Sequence, residues 1–209
     1  MDALDPSIAG LSVSRETFAA LQQLEALVRR WTPAINLVSK ATLTHLWDRH
    51  IVDSAQVFSL CPPAAKTWVD VGSGGGFPGL VVAILARELR PDLHVTLVES
   101  DQRKATFLRQ AAQSLGLKAA VRSERIESLP SLQADVLSAR ALAALSELLG
   151  IADLHLASDG VAIFPKGSRY MEELAAARSA WTFNLETQRS LSDPEAAILV
   201  IRNIHRHVG

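Results

Sequence analysis

Residues 67–80 read Thr-Trp-Val-Asp-Val-Gly-Ser-Gly-Gly-Gly-Phe-Pro-Gly-Leu, the most informative segment of the chain. Trp68 to Val71 predict a short apolar strand, three glycines follow at alternate positions, and Pro78 opens an apolar helix. Glycine adopts positive φ angles and lets the backbone approach a ligand closely. A helix start offers free N–H groups and a partial positive charge. The stretch therefore predicts a strand, a glycine loop and a helix that together cradle an extended ligand.

The rest of the chain alternates predicted strands with predicted helices. Strands are predicted near 67–71, 94–98, 118–122, 134–138 and 160–164, and helices near 79–90, 102–115, 142–156 and 169–180. Two β-rich runs, about 182–190 and 196–204, flank Ser192-Asp193-Pro194 and predict a hairpin. Alternating units of this kind form a parallel sheet with helices on both faces. We therefore expect an α/β fold with a mostly parallel, seven-stranded sheet and an antiparallel C-terminal hairpin.

The segment before the glycine-loop strand is predicted to be helical. Apolar residues recur at helical spacing over about 14–31, where Ser14 is the expected N-cap and Pro33 the expected stop. A second helix is predicted over about 43–59. We expect an N-terminal helical extension and one compact ligand-binding domain, over residues 1–63 and 64–209.

Composition excludes several classes of protein. The 209 residues are 48% apolar and 21% charged, which suits one globular domain with a short extension. No apolar run reaches the roughly 18 residues of a transmembrane helix, and the first ten residues lack the order of a signal peptide. The single cysteine, Cys61, excludes an internal disulfide and a Cys-based zinc site. We therefore expect a cytoplasmic protein with no membrane contact and no metal.

Charge is distributed unevenly although the net charge is only −1. Residues 29–50 carry four basic side chains against Asp48, and residues 101–125 carry six against Asp101 and Glu124. Such segments form either a patch that follows nucleic-acid phosphates or ordinary solvated helix faces.

Three ligands compete for the glycine loop. A phosphate-binding P-loop requires lysine where this chain has Leu80, so that interpretation fails. A dinucleotide fingerprint occurs at Gly74, Gly76 and Gly79, but it starts late in the turn. It also places Asp70 beside a pyrophosphate, whose negative charges a carboxylate repels. The third pattern, Asp-x-Gly-x-Gly-x-Gly, is matched in full from Asp70 onward and resembles the first motif of class I S-adenosylmethionine-dependent methyltransferases. That cofactor carries an ammonium and a sulfonium, which an acid attracts.

The second predicted strand, His94-Val-Thr-Leu-Val, is followed by Glu99. A carboxylate at this point accepts both ribose hydroxyls of NAD or of S-adenosylmethionine. The alternative is an acid that stabilises the start of the next helix. An NAD-dependent oxidoreductase therefore stays an alternative. Asp70 and the lack of an evident substrate domain argue against it.

The motifs that this chain lacks reduce the number of atoms that are candidates to accept the methyl group. Methyltransferases that act on exocyclic amines resemble one another in an Asn/Asp-Pro-Pro-aromatic motif, where this chain has Ser138-Ala139-Arg140-Ala141. Methylation of pyrimidine C5 uses a cysteine nucleophile, and Cys61 lies before the first strand of the predicted sheet. A guanine N7 has a free lone pair and needs no proton removed, so catalysis there can rest on proximity and orientation.

Several motifs, taken in order, match one family. They are Asn36-Leu37-Val38-Ser39, Arg49-His50-Ile51-Val52-Asp53-Ser54, Asp70 to Gly79, Glu99-Ser100 with Arg103-Lys104, Arg125-Ile126-Glu127, Ser138 to Ala141 and Lys166-Gly167. Over about residues 15–205 the chain resembles the RsmG (GidB) family of bacterial rRNA methyltransferases. The resemblance implies a class I, Rossmann-like fold, S-adenosylmethionine as cofactor and the small ribosomal subunit as partner. It implies methylation of guanine N7 in the 530 loop of 16S rRNA, at guanine 527 in the family.

The resemblance and the motifs also imply site residues. The expected cofactor-binding residues are Asp70, Gly72, Ser73, Gly74, Gly76, Phe77, Glu99, Ile126, Glu127 and Arg140. Arg140 and Lys166 are the candidates to orient the base, through O6 alone because N7 must stay free; either can instead contact the cofactor carboxylate or a phosphate. The expected RNA-binding residues are Lys40, Arg49, His50, Arg103, Lys104, Arg125 and Lys166. We expect a monomer, and a non-catalytic ribosomal assembly factor is the second alternative.

The motif Arg49 to Ser54 falls on the second predicted helix. Arg49 and Asp53 lie four residues apart, as do His50 and Ser54, so each pair is expected to interact. The helix is expected either to brace itself locally or to pack beside the cofactor cleft and help present RNA.

Overall fold

The structure, a computed structural model, describes residues 6–207 of the chain. The strands are β1 (Ser7–Ile8), β2 (Leu11–Ser12), β3 (Thr67–Val71), β4 (His94–Val98), β5 (Ala120–Arg122), β6 (Ala134–Ala139), β7 (Leu156–Lys166), β8 (Trp181–Arg189) and β9 (Ala197–Arg206). The α-helices are α1 (Arg15–Ile35), α2 (Asp53–Ser59), α3 (Gly79–Leu89), α4 (Gln102–Ser114), α5 (Leu145–His155) and α6 (Tyr170–Ala177). Short 3₁₀ segments cover Lys40–His45 and Ile126–Ser128, and a π-helical turn covers Trp47–Val52.

Seven strands form one sheet in the order β5-β4-β3-β6-β7-β9-β8. The five strands from β5 to β7 in this order run parallel, and β9 runs antiparallel to both β7 and β8. The predicted fold class is therefore confirmed. Because β3 lies between β4 and β6, the strand order reverses at β3. Parallel sheets of this kind bind ligands beyond the carboxyl ends of the strands at such a reversal.

The two faces of the sheet bury different sets of helices. Alternate residues of a strand point to opposite faces, so Trp68 packs with α1, α2, α3 and α4, while Val69 and Val71 pack with α5 and α6. Helix α3 is buried from Gly79 to Ala86. This near-continuous apolar run fits a helix enclosed between the sheet and the N-terminal helices.

The N-terminal helices share a hydrophobic core with the sheet. Leu21, Leu24 and Val28 of α1 are fully buried in the cluster that contains Leu80 and Ile84 of α3. The proposed division into an extension and a domain at residue 63 stays a prediction. Its outer ends, residues 1–5 and 208–209, lie outside the described residues. Within residues 6–207, no helix has the length and hydropathy that crossing a membrane requires.

Two local expectations at the N-terminus are corrected, one is confirmed, and one observed element was not predicted. Ser14 caps α1, since its Oγ accepts a hydrogen bond from Thr17 N at 3.2 Å. Pro33 does not stop α1, which continues to Ile35 and ends at Asn36 with φ at +50°. Asparagine tolerates this left-handed conformation and closes helices. The predicted helix over 43–59 instead divides into 3₁₀, π and α segments, and the hairpin β1–β2 was not expected.

Candidate active site

The glycine loop follows β3 and is held by β4. Gly72 and Ser73 donate their backbone N–H groups to Val98 O at 2.9 and 3.1 Å. Gly72, Gly74 and Gly76 have φ angles of +65°, +51° and +87°, a region that side chains rarely adopt. The alternate glycines are therefore required by the backbone path of this loop.

Asp70 lies behind the loop and has no exposed surface. Its Oδ2 accepts a hydrogen bond from Gly79 N at 3.2 Å, and its Oδ1 accepts one from Ser138 Oγ at 2.7 Å. Ser138 Oγ in turn accepts a hydrogen bond from Trp68 Nε1 at 2.8 Å. The structure therefore corrects the expected direct contact of Asp70 with a cationic ligand. The carboxyl instead ties β3 to the start of α3 and to β6, and so shapes the loop from within.

Asp70 makes stability depend on pH. Burial raises its pKa from 3.8 to about 6, although hydrogen bonds from Ser138 and Gly79 favour the charged form. Because the pKa of Asp70 is higher in the folded protein than in the unfolded chain, the protonated carboxyl stabilises the folded state. This stabilisation is fully present below about pH 4 and is lost as the pH rises through about 6. Two pKa units correspond to about 3 kcal/mol.

Chemical denaturation of the wild type and of Asp70→Asn tests this dependence. The wild-type free energy of unfolding, measured relative to the variant, should fall by about 3 kcal/mol between roughly pH 4 and pH 7. Parallel stability profiles of the two proteins would show that Asp70 has an ordinary pKa.

Glu99 is buried at the end of β4, and both of its oxygens bind backbone N–H groups. Oε2 accepts from Gly74 N and Oε1 from Asp101 N, each at 2.8 Å. Asp101 caps α4 by accepting from Arg103 N at 2.8 Å. Glu99 thus supports both the glycine loop and the turn into α4. A carboxylate oxygen has a second lone pair, so a contact with ribose hydroxyls stays compatible with these bonds.

A first cavity of about 510 Å³ opens beyond the carboxyl ends of β3 and β4 and beside α5. It is lined by Gly72, Ile126 and Glu127, three of the expected cofactor-binding residues. Arg125, an expected RNA-binding residue, also lines it. The volume falls in the range of small-molecule and cofactor sites.

A second cavity of about 820 Å³ lies beyond the loop that follows β6. It brings together three parts of the chain that are distant in sequence: the segment with Arg49, His50 and Asp53, then Arg140, and then Lys166. Residues 142 and 143 line both cavities and form the wall between them.

Leu142 forms the part of this wall that covers the glycine loop. A Cβ atom added to Gly72 would lie 2.6 Å from Leu142 Cδ1, so Leu142 occupies the space that a side chain at Gly72 would need. The Leu142 residue is 42% exposed, and Ala141 before it has φ at +52°. No motif marks Leu142, so the sequence did not indicate a role for this residue.

His50 and Arg140, which line the second cavity, both pack against the buried ring of Phe77. The rings of His50 and Phe77 lie 4.9 Å apart at an interplanar angle of 25°, and Arg140 Cζ lies 5.4 Å from the Phe77 centroid. Arg140 also donates a hydrogen bond to Arg49 O at 3.2 Å. Burial lowers the pKa of Arg140 to about 10, so its guanidinium stays charged at neutral pH. An arginine over an aromatic face is held by cation–π attraction.

His50 is 8% exposed, and neither of its ring nitrogens has a hydrogen-bond partner among the described residues. Burial, with further contributions from Arg140 and Arg49, lowers its pKa to about 3. The imidazole is therefore neutral and buried and carries no charge that would attract an RNA phosphate, and the expected contact of His50 with RNA stays a prediction.

The expected side-chain pairs of the Arg49–Ser54 motif do not form. Arg49 makes an ion pair with Asp193 at 3.0 Å, and Asp53 accepts a hydrogen bond from Ser190 Oγ at 3.3 Å. Ser54 Oγ donates to the backbone carbonyl of His50, and not to its ring. The π-helical turn changes the number of residues per turn, so positions four apart no longer face each other as on an α-helix.

Lys166 braces the wall between the cavities. Its Nζ lies 2.6 Å from Glu173 Oε2 and donates to Ala143 O at 3.1 Å, and its side chain is only 8% exposed. Glu173 also accepts from Leu145 N, at the start of α5. This arrangement fits a support of the loop after β6 and does not fit a free cation that contacts RNA.

The remaining basic candidates are distributed over several elements. Lys40 is exposed on the first 3₁₀ segment, and Arg103 is exposed on α4, where it pairs with Asp101 at 3.4 Å. Lys104, also on α4, is half-buried. Their contact with RNA stays a prediction, as does that of Arg49 and Arg125.

Three comparisons with known proteins agree with this geometry. The family model described as "GidB: rRNA small subunit methyltransferase G" matches residues 17–200. A protein of Cereibacter sphaeroides named ribosomal RNA small subunit methyltransferase G is 51% identical over 195 residues, which cover 93% of this chain and 95% of that protein. A protein of the same name from Ruegeria pomeroyi is 51% identical over 201 residues, covering 96% and 98%. An SAH-bound methyltransferase from Podospora anserina, 13% identical, superimposes with a TM-score of 0.60 over 88% of this chain and 87% of that chain.

The likeness to the solved structure, at low identity, shows the fold, and the extensive sequence matches show the family. Both agree with the resemblance that the motifs indicate, and they favour a methyltransferase over an NAD-dependent oxidoreductase. The chain therefore belongs to the GidB family, rRNA small subunit methyltransferase G, and is an S-adenosylmethionine-dependent methyltransferase with the class I fold.

Proposed function

We propose that this enzyme methylates N7 of a guanine in the 530 loop of 16S rRNA. The observation that carries the proposal is a pair of neighbouring cavities that share Leu142 and Ala143, the first lined by Gly72 of the glycine loop and the second by Arg140. One cavity has the size and the glycine-loop wall of a nucleoside site, and the other holds a protonated arginine on an aromatic ring. The family match adds small-subunit rRNA as the substrate class.

The first cavity fits the adenosine of S-adenosylmethionine, which supplies the methyl group. Gly72 forms one wall, where a side chain would collide with Leu142, and Ile126 and Glu127 form another. We propose that Glu99 binds the ribose from behind the loop while it keeps its bond to Gly74. Asp70 contributes by holding the loop in shape.

The second cavity fits the guanine. S-adenosylmethionine, when bound, would supply an activated methyl group, and the N7 lone pair of the guanine would be the nucleophile that accepts it. Attack by N7 requires no general base, in keeping with a nearby histidine whose pKa is near 3. We propose that Arg140 orients the base by donating to O6, which leaves N7 free. The enzyme then works mainly by proximity and orientation.

Cleavage of 16S rRNA with borohydride and aniline tests the proposal, because this chemistry breaks RNA at N7-methylguanine. Small subunits from a strain that lacks the modification are incubated with the enzyme and S-adenosylmethionine. A new cut in the 530 loop is expected. Methyl transfer without any new cut would contradict N7 as the acceptor, and absence of transfer would favour a non-catalytic assembly factor. The monomeric state and the cytoplasmic location stay predictions.

A further inference from the structure

Asp53 has no role in the mechanism above, yet it lies in the second cavity beside the groups that have one. It is the first residue of α2, and the cavity also contains Arg49 and Arg140. Burial raises the pKa of Asp53, against the effects of hydrogen bonds from Ser192 and Ser190 and of the two arginines.

The nearby cations have other partners. Arg49 is paired with Asp193, and Arg140 donates to the carbonyl of Arg49 and stacks on Phe77. Among the described residues, no ion pair includes Asp53. Ser190 Oγ donates to Oδ1 at 3.3 Å. A carboxylate has about four lone-pair sites, and Ser190 and Ser192 use part of them, so about half of its accepting capacity is open to a ligand in the cavity.

We propose that Asp53 selects guanine by accepting hydrogen bonds from N1–H and from the 2-amino group of the target base. This inference rests on the proposed function. Neutral guanine presents two adjacent donors on its Watson–Crick edge, whereas adenine, cytosine and uracil each present an acceptor next to their donor. A carboxylate that accepts from both therefore favours guanine over the other three bases.

The arrangement leaves the reacting atom free. O6 adjoins N1–H on the same edge, so Arg140 and Asp53, in one cavity, bind neighbouring groups of the base. N7 lies on the other side of O6, away from both contacts, and stays free to accept the methyl group. Methylation places positive charge on the purine, which makes N1–H and the 2-amino group stronger donors. The carboxylate therefore binds the transition state more tightly than the ground state, which raises kcat.

Inosine tests this contact because it is guanosine without the 2-amino group. Small subunits are reconstituted with 16S rRNA that carries inosine at the methylated position, and kcat/KM is compared with that for guanosine. The wild type should prefer guanosine by about 10- to 100-fold, the range for a hydrogen bond to a charged group. In Asp53→Asn the amide NH₂ group faces a donor on the base, and two donors form no hydrogen bond. The preference for guanosine over inosine should therefore fall below about threefold or reverse.

Two further variants control the experiment. Asp53→Glu keeps a carboxylate and should retain a preference for guanosine even if its rate is lower. Glu172→Gln removes an exposed acid that lines the same cavity and should keep the wild-type preference. Calorimetric titration with S-adenosylmethionine shows whether each variant keeps its folded cofactor site.

The possible failures are distinguishable. If the wild type forms no N7-methylguanine, the proposed function is wrong. If it forms N7-methylguanine but treats inosine and guanosine alike, or if Asp53→Asn discriminates as the wild type does, only the assignment of Asp53 is wrong.

Discussion

Arg140→Ala should lower kcat by about 100-fold at saturating S-adenosylmethionine, the cost of losing the orientation of a reacting group. The guanidinium is fixed between the Phe77 ring and the carbonyl of Arg49, and it faces the second cavity. Because it orients the base and not the cofactor, the dissociation constant of S-adenosylmethionine should change by less than about threefold. Single-turnover methylation of small subunits and calorimetric titration measure the two quantities separately.

Two variants sharpen this test. Arg169→Ala removes an exposed arginine from the same cavity and should leave kcat within about twofold of the wild type. Arg140→Lys keeps the charge but loses the planar group that stacks on Phe77, and should recover only part of the rate. A weakened affinity for the cofactor with full kcat at saturation would assign Arg140 to the cofactor carboxylate.

Gly79→Ala should destabilise the protein by about 3 kcal/mol, the combined cost of overpacking a core and straining a buried hydrogen bond. A Cβ at this position would lie 2.2 Å from Leu97 Cδ2 and 2.6 Å from Asp70 Oδ2. Gly79 also donates its N–H to Asp70. For a chain of this size the melting temperature should fall by about 10 °C, as thermal unfolding monitored by circular dichroism will show.

Gly150→Ala is the matched control on α5. A Cβ at this position would lie 3.7 Å from the Trp181 side chain, which is an ordinary contact. The higher helix propensity of alanine should therefore stabilise the protein by about 0.5–1 kcal/mol. If Gly79→Ala has the melting temperature of the wild type while Gly150→Ala is stabilised, the predicted cost at Gly79 is wrong. The core around Asp70 would then adjust to the added methyl group at little cost in stability.

Local patterns predicted most of the fold because they reflect short-range rules. The alternation of apolar strands and amphipathic helices predicts the parallel sheet, and the turn at 192–194 predicts the hairpin of β8 and β9. The errors lie where backbone geometry departs from the regular α-helix. Pro33 removes only its own hydrogen bond near the end of α1, and the π-helical turn at Trp47–Val52 has no sequence signature that we used.

The sequence predicted which residues lie at the candidate site better than it predicted what each of these residues contacts. Gly72, Ile126 and Glu127 line the first cavity, and their contact with the cofactor stays a prediction. Lys166 was expected to contact the base, the cofactor carboxylate or a phosphate, but it pairs with Glu173 on α6, a contact that no sequence pattern indicated.

The strand, glycine loop and helix at residues 67–80 can be read from the sequence, since backbone conformation and apolar periodicity are local properties. The roles of the charged side chains depend instead on the tertiary structure. Asp70 was expected to face a cationic ligand, but it is enclosed by Ser138 and Gly79 and shapes the loop from inside. The partners of a charged group, and hence its pKa and chemistry, depend on which distant elements the fold places around it.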